Sequence, residues 1–302
     1  MAEAGRRLSF GRLVVETSNE DKVLYPDAGI TKGEVIEYYR KVAEHALPHG
    51  ADRFLTLQRF PDGLDQDGFY QQSRAEHFAD YVKGVTAERV GGGQLEHIVV
   101  QNAAGLVYLA NQGTLTFHVW LSRRDRPNHP DRMVFDLDPP DDDFAPVREA
   151  ARLVGDFLRT LGLTPYVMTT GSRGLHVVVP LDRSADFDTV RAFAGRVADR
   201  LAGRHPDTLT AEQRKNRRKG RLYLDVQRNA YGQTGVMPYS LRAKPGAPVA
   251  TPLAWDQLGA GDLTARSYHI GNLFRRLGQI EDPWADIKRR ATGIAAAADA
   301  LD

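Results

Sequence analysis

Apolar and polar residues alternate with two different periods along the middle of this chain, and the order in which the periods change predicts a fold. "RMVFDLD" (residues 132–138) puts Met133, Phe135 and Leu137 on one face of a strand and Asp136 and Asp138 on the other. After "PPDDD", Pro146 stands where a first helical turn accepts proline. Val147, Ala150, Ala151, Val154, Phe157, Leu158 and Leu161 then recur at helical spacing up to Gly162. "PYVMTT" (165–170) and "LHVVVPL" (175–181) read as strands joined by the tight turn "GSRG", a hairpin. Residues 186–203 carry Phe187, Val190, Phe193, Ala194, Val197 and Leu201 on one helical face, and "RLYLDVQ" (221–227) alternates as a fourth strand.

The resulting order, β-α-β-β-α-β, is that of the ferredoxin-like or RRM-like split unit, in which the first and third strands are central and the fourth lies beside the first. Two helices cover one face of such a sheet and leave the other open. Burying Leu222, Leu224 and Val226 against the helices turns Asp225 to the open face, so Asp136, Asp138 and Asp225 converge there. His176, at the start of the third strand, reaches the same surface.

The N-terminal part is less regular. Thr31-Lys32-Gly33-Glu34 matches a capping box, opening a helix with Val35, Tyr38, Tyr39, Val42 and Ala46 at helical spacing up to Pro48-His49-Gly50. Strands are expected at "FLTLQRF", "GFYQQ", "EHIVV" and "TLTFHVWL", with a short helix near "AAGLVYLANQ". No repeat or low-complexity linker interrupts the chain. The expected fold is therefore α/β (α+β), a single domain over residues 1–302. An N-terminal α/β module (1–130) packs against the RRM-like catalytic module (131–245), and an extension (246–302) follows, its tail "GIAAAADALD" a weak helix or disordered.

Composition narrows the chemistry. At 302 residues, 42% hydrophobic and 26% charged, the chain reads as globular rather than disordered or fibrous. It has no run of about 18 apolar residues and no secretory leader pattern, so no membrane partner and a cytoplasmic location are expected. Zero cysteines exclude disulfides, Cys-ligated zinc and thiol nucleophiles, leaving oxygen and imidazole as metal ligands. The net charge of +1 hides segregation: Asp136, Asp138 and Asp141 to Asp143 crowd one segment, and Arg214, Lys215, Arg217, Arg218, Lys219 and Arg221 another. Such a basic run is either a solvated loop or a surface for a polyanion.

Three carboxylates on one sheet face suit Mg²⁺ or Mn²⁺, which take oxygen ligands and complete their shells with water and phosphates. Two such ions activate an attacking oxygen and neutralise a leaving pyrophosphate, the logic of polymerases and nucleases. An Asp-x-Asp pair alone is common on solvated strands; the third aspartate, placed by topology, is what distinguishes this one. "TTGSRGLH" is either a plain hairpin turn or a phosphate cradle of backbone amides with Thr170, Ser172, Arg173 and His176. Arg242 in "YSLRA" is a second phosphate clamp or a surface ion-pair partner. Lys22 and Lys32 are two solvated lysines, or they meet free amides at the positive end of the capped helix as an anion pocket. Phe69 and Tyr70 point to opposite faces of a strand: both pack in the core, or one packs and one stacks on a base. His118 is a structural histidine or a contact near the nucleotide.

"VFDLDPP", "TTGSRGLHVVVPL", "RLYLDVQRN" and "YSLRAKPGAPVATPLAW" resemble, in order and spacing, the polymerase domain of bacterial ATP-dependent DNA ligase D, of the archaeo-eukaryotic primase superfamily. "NEDKVLYPDAGITKGEVIEYY", "LPHG" and "RFPDGLDQDGFYQ" resemble its N-terminal portion, so the similarity runs to about residue 285. The resemblance implies a primase-polymerase fold in which Asp136, Asp138 and Asp225 hold two metal ions, Mn²⁺ or Mg²⁺, and are catalytic. It implies that Thr170, Ser172, Arg173, Gly174, His176, Arg242 and His118 bind the incoming nucleotide. Asn19, Lys22 and Lys32 fall where end-joining members bind a 5′-phosphate across a gap, and Phe69 and Tyr70 where an aromatic pair stacks on the template. Members of the family fill short gaps, prefer ribonucleotides and favour Mn²⁺.

The implied partners are gapped or broken duplex DNA with a 5′-phosphate, nucleoside triphosphates, a DNA ligase acting in trans and a Ku-type end-binding protein; the implied location is cytoplasmic and nucleoid-associated. Gln58 and Gln72 depart from the family, standing where lysines are expected. No K-x-D-G ligase motif and no phosphoesterase portion is found, which implies a stand-alone paralogue or an isolated domain. A primase that starts chains on single strands and a non-catalytic nucleic-acid-binding module are the alternatives to gap filling; a pure binder would not keep three carboxylates facing a polyanion.

Overall fold

The computed structural model, which describes residues 4–301, turns the two sequence periods into strands and helices with few exceptions. The first run of elements is β1 (Ala4–Phe10), β2 (Leu13–Ser18), β3 (Val23–Tyr25), β4 (Ile30–Thr31), α1 (Lys32–Gly50), β5 (Leu55–Arg59), β6 (Phe69–Gln71), β7 (Lys83–Glu88), β8 (Gln94–Val99), α2 (Ala103–Asn111) and β9 (Thr114–Trp120). There follow β10 (Arg132–Asp138), α3 (Ala145–Thr160), β11 (Tyr166–Thr169), β12 (Leu175–Pro180), α4 (Phe187–Arg204), β13 (Leu209–Thr210), β14 (Leu222–Asp225), β15 (Thr234–Val236), β16 (Pro252–Leu253), α5 (Leu273–Leu277) and α6 (Ala295–Leu301). Two units divide them. One takes the chain up to Trp120 with Thr234–Ala250 and Tyr268–Arg275; the other takes Leu121–Gln233, Thr251–Ser267 and the residues from Arg276 on.

In the second unit the sheet order is β13-β14-β10-β12-β11-β16. Its inner four strands are antiparallel and stand as fourth, first, third and second, the order expected of a split β-α-β unit. A two-residue strand is added at each edge, β13 parallel to β14 and β16 antiparallel to β11. Such pieces are too short to show a period in the sequence. Asp186 opens α4 by accepting the Thr189 N–H at 2.9 Å, a side-chain N-cap. Val147, Ala151, Val154 and Leu158 of α3, and Val190, Ala194 and Val197 of α4, are fully buried or nearly so, the stripe the helical spacing predicts.

The face bearing the aspartates is less open than expected. Val134 and Val178, on that face, are each 2% exposed, and Asp136 is itself buried. Only Asp138 and Asp225, at strand ends, reach intermediate exposure. Tyr223, two residues before Asp225 on the same strand face, is buried under the Arg218 guanidinium, 3.9 Å from its ring centroid. The ring finds its cover in a planar cation of the basic loop rather than in a helix.

The first unit is built on the sheet β15-β9-β5-β8-β7, with β6 paired to β5 off that path. The capping box forms as predicted: Thr31 Oγ1 accepts the Glu34 N–H at 3.3 Å and the Glu34 carboxylate accepts the Thr31 N–H at 2.7 Å. Tyr38 and Tyr39 lie in the core, and burial of their hydroxyls is offset by bonds donated to Tyr239 O at 2.8 Å and Leu115 O at 2.7 Å. The β1–β2 hairpin and β7 have no counterpart in the sequence reading. β7 keeps one buried residue in six, and an edge strand wet on both faces loses the alternation that marks a strand. The tail is ordered as α6, with Ala297 and Leu301 buried. Among the described residues no helix is long and apolar enough to cross a membrane.

One core residue sets a pH dependence. His97 is buried on β8 between Phe54 and Trp120, with ring centroids 5.0 and 5.1 Å away, and neither ring nitrogen has a hydrogen bond among the described residues. Burial, and then the charge of Arg89, lower its pKa below the usual histidine value. The unfolded chain therefore binds the proton more readily, so this residue's contribution to stability is full above about pH 6.5 and is lost as pH falls through the folded-state pKa. His97→Phe should narrow the stability difference between pH 7.5 and pH 5, measured by urea denaturation at the two values; an unchanged difference would clear His97 of the effect.

Candidate active site

Strand register brings the carboxylates together. Asp136 of β10 lies directly across from Asp225 of β14 and, on its other side, from His176 of β12, while Asp138 lies two residues further along the same face. Like charges directly opposite on neighbouring strands repel. Two groups offset this at Asp136: His176 Nε2 is 3.5 Å from Oδ1, and Arg228 Nε is 3.3 Å from Oδ2. Burial alone would raise the Asp136 pKa, but His176 and Arg228 outweigh it and hold the carboxyl down at about 2. Asp138 has no such partner among the described residues: burial, then the charges of Asp136 and Asp225, push its pKa up, opposed by Arg218 and Arg173. Asp225 is oriented locally, its Oδ1 accepting from Gln227 N at 2.7 Å and from the Tyr223 hydroxyl at 3.3 Å.

Arg228 was not among the residues singled out from the sequence. A 3-10 turn over Gln227–Asn229 carries it back onto β10. That turn is fixed by Asn229, 1% exposed, whose side-chain amide accepts Val134 N–H at 2.8 Å and donates to Val134 O at 2.7 Å. The amide thus replaces the ladder rung that would follow the Asp136–Asp225 pair, satisfying backbone groups that β14 leaves behind when it ends. The basic run divides in two: Arg214, Lys215, Arg217 and Lys219 are exposed, whereas Arg218 is bonded to the Glu212 and Gln213 carbonyls and Arg221 to those of Pro206, Arg217 and Arg218.

Among the described residues, no three His, Asp or Glu side chains are gathered as a ready metal cage. Asp136 and Asp225 are each turned toward the partners just named. The donor chemistry nonetheless fits a hard divalent cation, because three oxygen donors sit on adjacent strands and the mutual repulsion raising Asp138 is what a cation relieves.

Thr170 to Gly174 form the turn between β11 and β12. The Thr170 hydroxyl, buried, donates to Gly174 O at 3.0 Å and accepts from the amides of Ser172 and Gly174 at 3.3 Å. Those amides and that hydroxyl hold the turn closed, and the Ser172 hydroxyl and Arg173 guanidinium are left to face outward. Gly171 has φ +64°, a conformation glycine adopts without strain. Gly174 is required by space: a Cβ there would stand 2.1 Å from Leu137 O, between the two aspartates of β10.

The other expected residues lie in the first unit. Lys32 is buried, its Nζ donating to Ser18 O at 2.6 Å, and burial followed by the charge of Lys22 lowers its pKa to about 8. Lys22 pairs with Asp62 at 2.5 Å. The amides at the start of α1 are not free as expected: Lys32 N bonds Lys22 O, Gly33 N bonds Glu20 O, and Glu34 N bonds Thr31. The capping box and the preceding loop consume them, so an anion here would meet ammonium groups and not helix amides. Asn19 closes the loop with φ +51°, its carbonyl accepting from Lys22 N at 3.1 Å. Phe69 and Tyr70 are both exposed, at 46% and 65%, and neither is core. β6 hangs on β5 by three residues, too short to bury either face, although the Arg59 guanidinium lies 5.1 Å from the Phe69 ring. His118 is half-buried on β9 with its ring 6.3 Å from that of Tyr70. Arg242 is half-buried, in a segment tied to β9 by the bond from Ala243 N to Thr116 Oγ1 at 3.0 Å. Gln58 lies opposite Tyr70 and Thr116, so no lysine stands at that register.

Residues 31–284 match the family model for the LigD primase-polymerase domain. The chain is 35% identical over 263 residues to the multifunctional non-homologous end joining DNA repair protein LigD of Mycobacterium tuberculosis (strain ATCC 25618 / H37Rv), covering 84% of this chain and 34% of that protein. It is 30% identical over 271 residues to the bifunctional non-homologous end joining protein LigD of Bacillus subtilis (strain 168), covering 89% and 43%. Among solved structures it is similar to the polymerase domain from Mycobacterium tuberculosis ligase D in complex with DNA, with a TM-score of 0.86, 33% identity, and coverage of 92% of this chain and 99% of that one. The chain spans about a third of the length of the mycobacterial relatives it matches.

The contact at Gly174 ties the turn to the aspartate strand. Gly174→Ala must displace either the turn or the end of β10, an overpacking that costs about 1–3 kcal/mol. Urea denaturation should show that loss for Gly174→Ala and not for Ser172→Ala at the half-exposed neighbouring site; equal stabilities would mean that the strand end yields freely.

Proposed function

The chain belongs to the LigD primase-polymerase domain family and is a template-directed nucleotidyltransferase, and from that premise we propose that it extends a primer 3′-hydroxyl at gapped or broken DNA during end joining. The observation that carries this reading is the register Asp225–Asp136–His176 across three adjacent strands, with Asp138 beside it and a hairpin turn bearing Ser172 and Arg173 at the end of the same strands. A surface meant only to bind a polyanion would not bury carboxylates there.

In this reading Asp136, Asp138 and Asp225 hold two divalent ions, Mn²⁺ or Mg²⁺. Those ions supply activation of the 3′-hydroxyl and neutralisation of the charge on the leaving phosphates. The protein's own groups do the rest. His176 and Arg228 keep Asp136 ionised, Ser172 and Arg173 orient the triphosphate, and Arg218 moderates the charge at Asp138. Thr170 and Gly174 act by shaping the turn. Arg242 and His118 are assigned to the nucleotide as the family resemblance implies, and Phe69 and Tyr70 stack on template bases, their exposure supporting that role. Asn19, Lys22 and Lys32 receive the 5′-phosphate beyond the gap. Ribonucleotides are preferred, ligation comes from a ligase activity outside these residues, a Ku-type protein brings the ends, and the location is cytoplasmic at the nucleoid.

Primer extension on a 5′-phosphorylated gap, with ribonucleotides and deoxynucleotides compared, tests the core of this. Asp136→Ala and Asp225→Ala should each lower the extension rate by about 10²-fold or more; extension at the parent rate by both variants would sink the two-metal assignment. Asp138→Asn should lose activity while melting at the same or a higher temperature, because its ionised form is disfavoured in the fold.

Lys32 gives a second, independent check. With its pKa near 8, the ammonium is present below that value and lost as pH rises through it, shifted upward somewhat by a bound phosphate. The affinity ratio of 5′-phosphate over 5′-hydroxyl gaps should fall between pH 7 and pH 9.5, and Lys32→Arg should flatten that fall. A ratio near one at pH 7 would remove Lys32 from end recognition.

A further inference from the structure

The second unit has a small cleft beside the turn of Ser172 and Arg173, and most of its lining has no role in the reading above. Besides those two residues it is lined by Thr264 and Arg266, from the 251–267 segment, and by Asp142 and Phe144 just before α3. Its volume is about 220 Å³. At about 30 Å³ per water that is room for about seven waters, and it is below the ~300 Å³ at which pockets for drug-sized ligands begin. A nucleoside is too large for it. Two linked phosphates are not.

Its charge asks for an anion. The Nε of Arg266 donates to the Ser172 carbonyl at 2.9 Å, which fixes that side chain against the turn. Its Nη groups, and the whole guanidinium of Arg173, make no hydrogen bond or ion pair among the described residues. Two arginines against the single carboxylate of Asp142 leave the lining net positive. Guanidinium groups held near one another without a shared counter-ion repel, whereas a phosphate group takes their fork-like donors in pairs. Thr264 adds a hydroxyl. The turn that lines the cleft also reaches the aspartate strand: Gly174 lies against Leu137 O, and the charge of Arg173 acts on Asp138.

We propose that this cleft receives the pyrophosphate released in nucleotide transfer, with Arg266 and Thr264 as binding residues beyond those of the turn; the inference rests on the transferase reading above. In the transfer the primer 3′-oxygen bonds the α-phosphorus and gives its proton to water, while the bond from the α-phosphorus to the bridging oxygen breaks. The electron pair stays on that oxygen, which departs as part of pyrophosphate. Arg266 joins the two sites, because the same side chain holds the Ser172 carbonyl and faces the cleft.

The test is inhibition of gap filling by inorganic pyrophosphate, with nucleotide KM measured in parallel. Arg266→Ala should raise the pyrophosphate Ki and the nucleotide KM together, by about tenfold, with the affinity for gapped DNA unchanged. Arg266→Lys, which keeps the charge, should recover part of both, and Thr264→Ala should shift Ki in the same direction by a few-fold. An unchanged Ki in Arg266→Ala overturns the proposal, as does an equal rise in the Ala and Lys variants, which would mean that Arg266 only props the turn. Asp136→Ala separates the two readings: if it still extends primers the transferase site is wrong, and if it is inactive while pyrophosphate inhibits Arg266→Ala with the parent Ki, only the pyrophosphate cleft is wrong.

Discussion

Two carboxylates facing each other across a strand pair are the constraint around which the second unit is arranged. Asp136 and Asp225 repel, and the fold neither separates them nor neutralises them by mutual contact. It gives Asp136 an imidazole and a guanidinium and gives Asp225 a backbone amide and a phenol, so each is satisfied by groups on its own side. Asp138 is left with the residual repulsion, which adds to burial in raising its pKa. A buried charge cluster with one unsatisfied member is unfavourable for folding, and it persists where the missing charge arrives with the substrate.

Holding that cluster requires rigid strands, and the means are local. Asn229 completes the β10 ladder where β14 runs out, and the turn it fixes carries Arg228 to Asp136. Gly174 lets the β11–β12 turn close against Leu137 O, and Thr170 ties that turn from within. The same two devices therefore set the carboxylates and aim the cations. A change at either therefore reaches the carboxylates through the strand that bears them.

The strand order, both long helices of the second unit and the convergence of three aspartates were legible because they follow from period and topology, which are properties of sequence order. Arg228, Asn229 and Arg266 were not. Each acts across a contact that depends on a short turn or on a segment far along the chain, and Arg266 is 94 residues from the carbonyl it binds. The anion pocket at α1 was half legible: the capping box was evident, but the box uses the amides that an anion would need. The exposed pair Phe69 and Tyr70 shows another limit, since a three-residue strand on the side of a sheet gives alternation no core to point into.

Both units meet the same difficulty in different ways. In the second, carboxylates are buried together with too few counter-ions among them; in the first, Lys32 is buried with a backbone carbonyl and a neighbouring lysine, and its affinity for the proton falls. Each charge is set where it is poorly compensated by the protein alone, at opposite sign. A phosphate would supply the missing charge to Lys32 in the first unit, and a divalent cation would supply it to the aspartates in the second. Interactions of that kind are strong because they are prepaid by the fold: the reorganisation that water would otherwise require has already occurred when the ligand arrives.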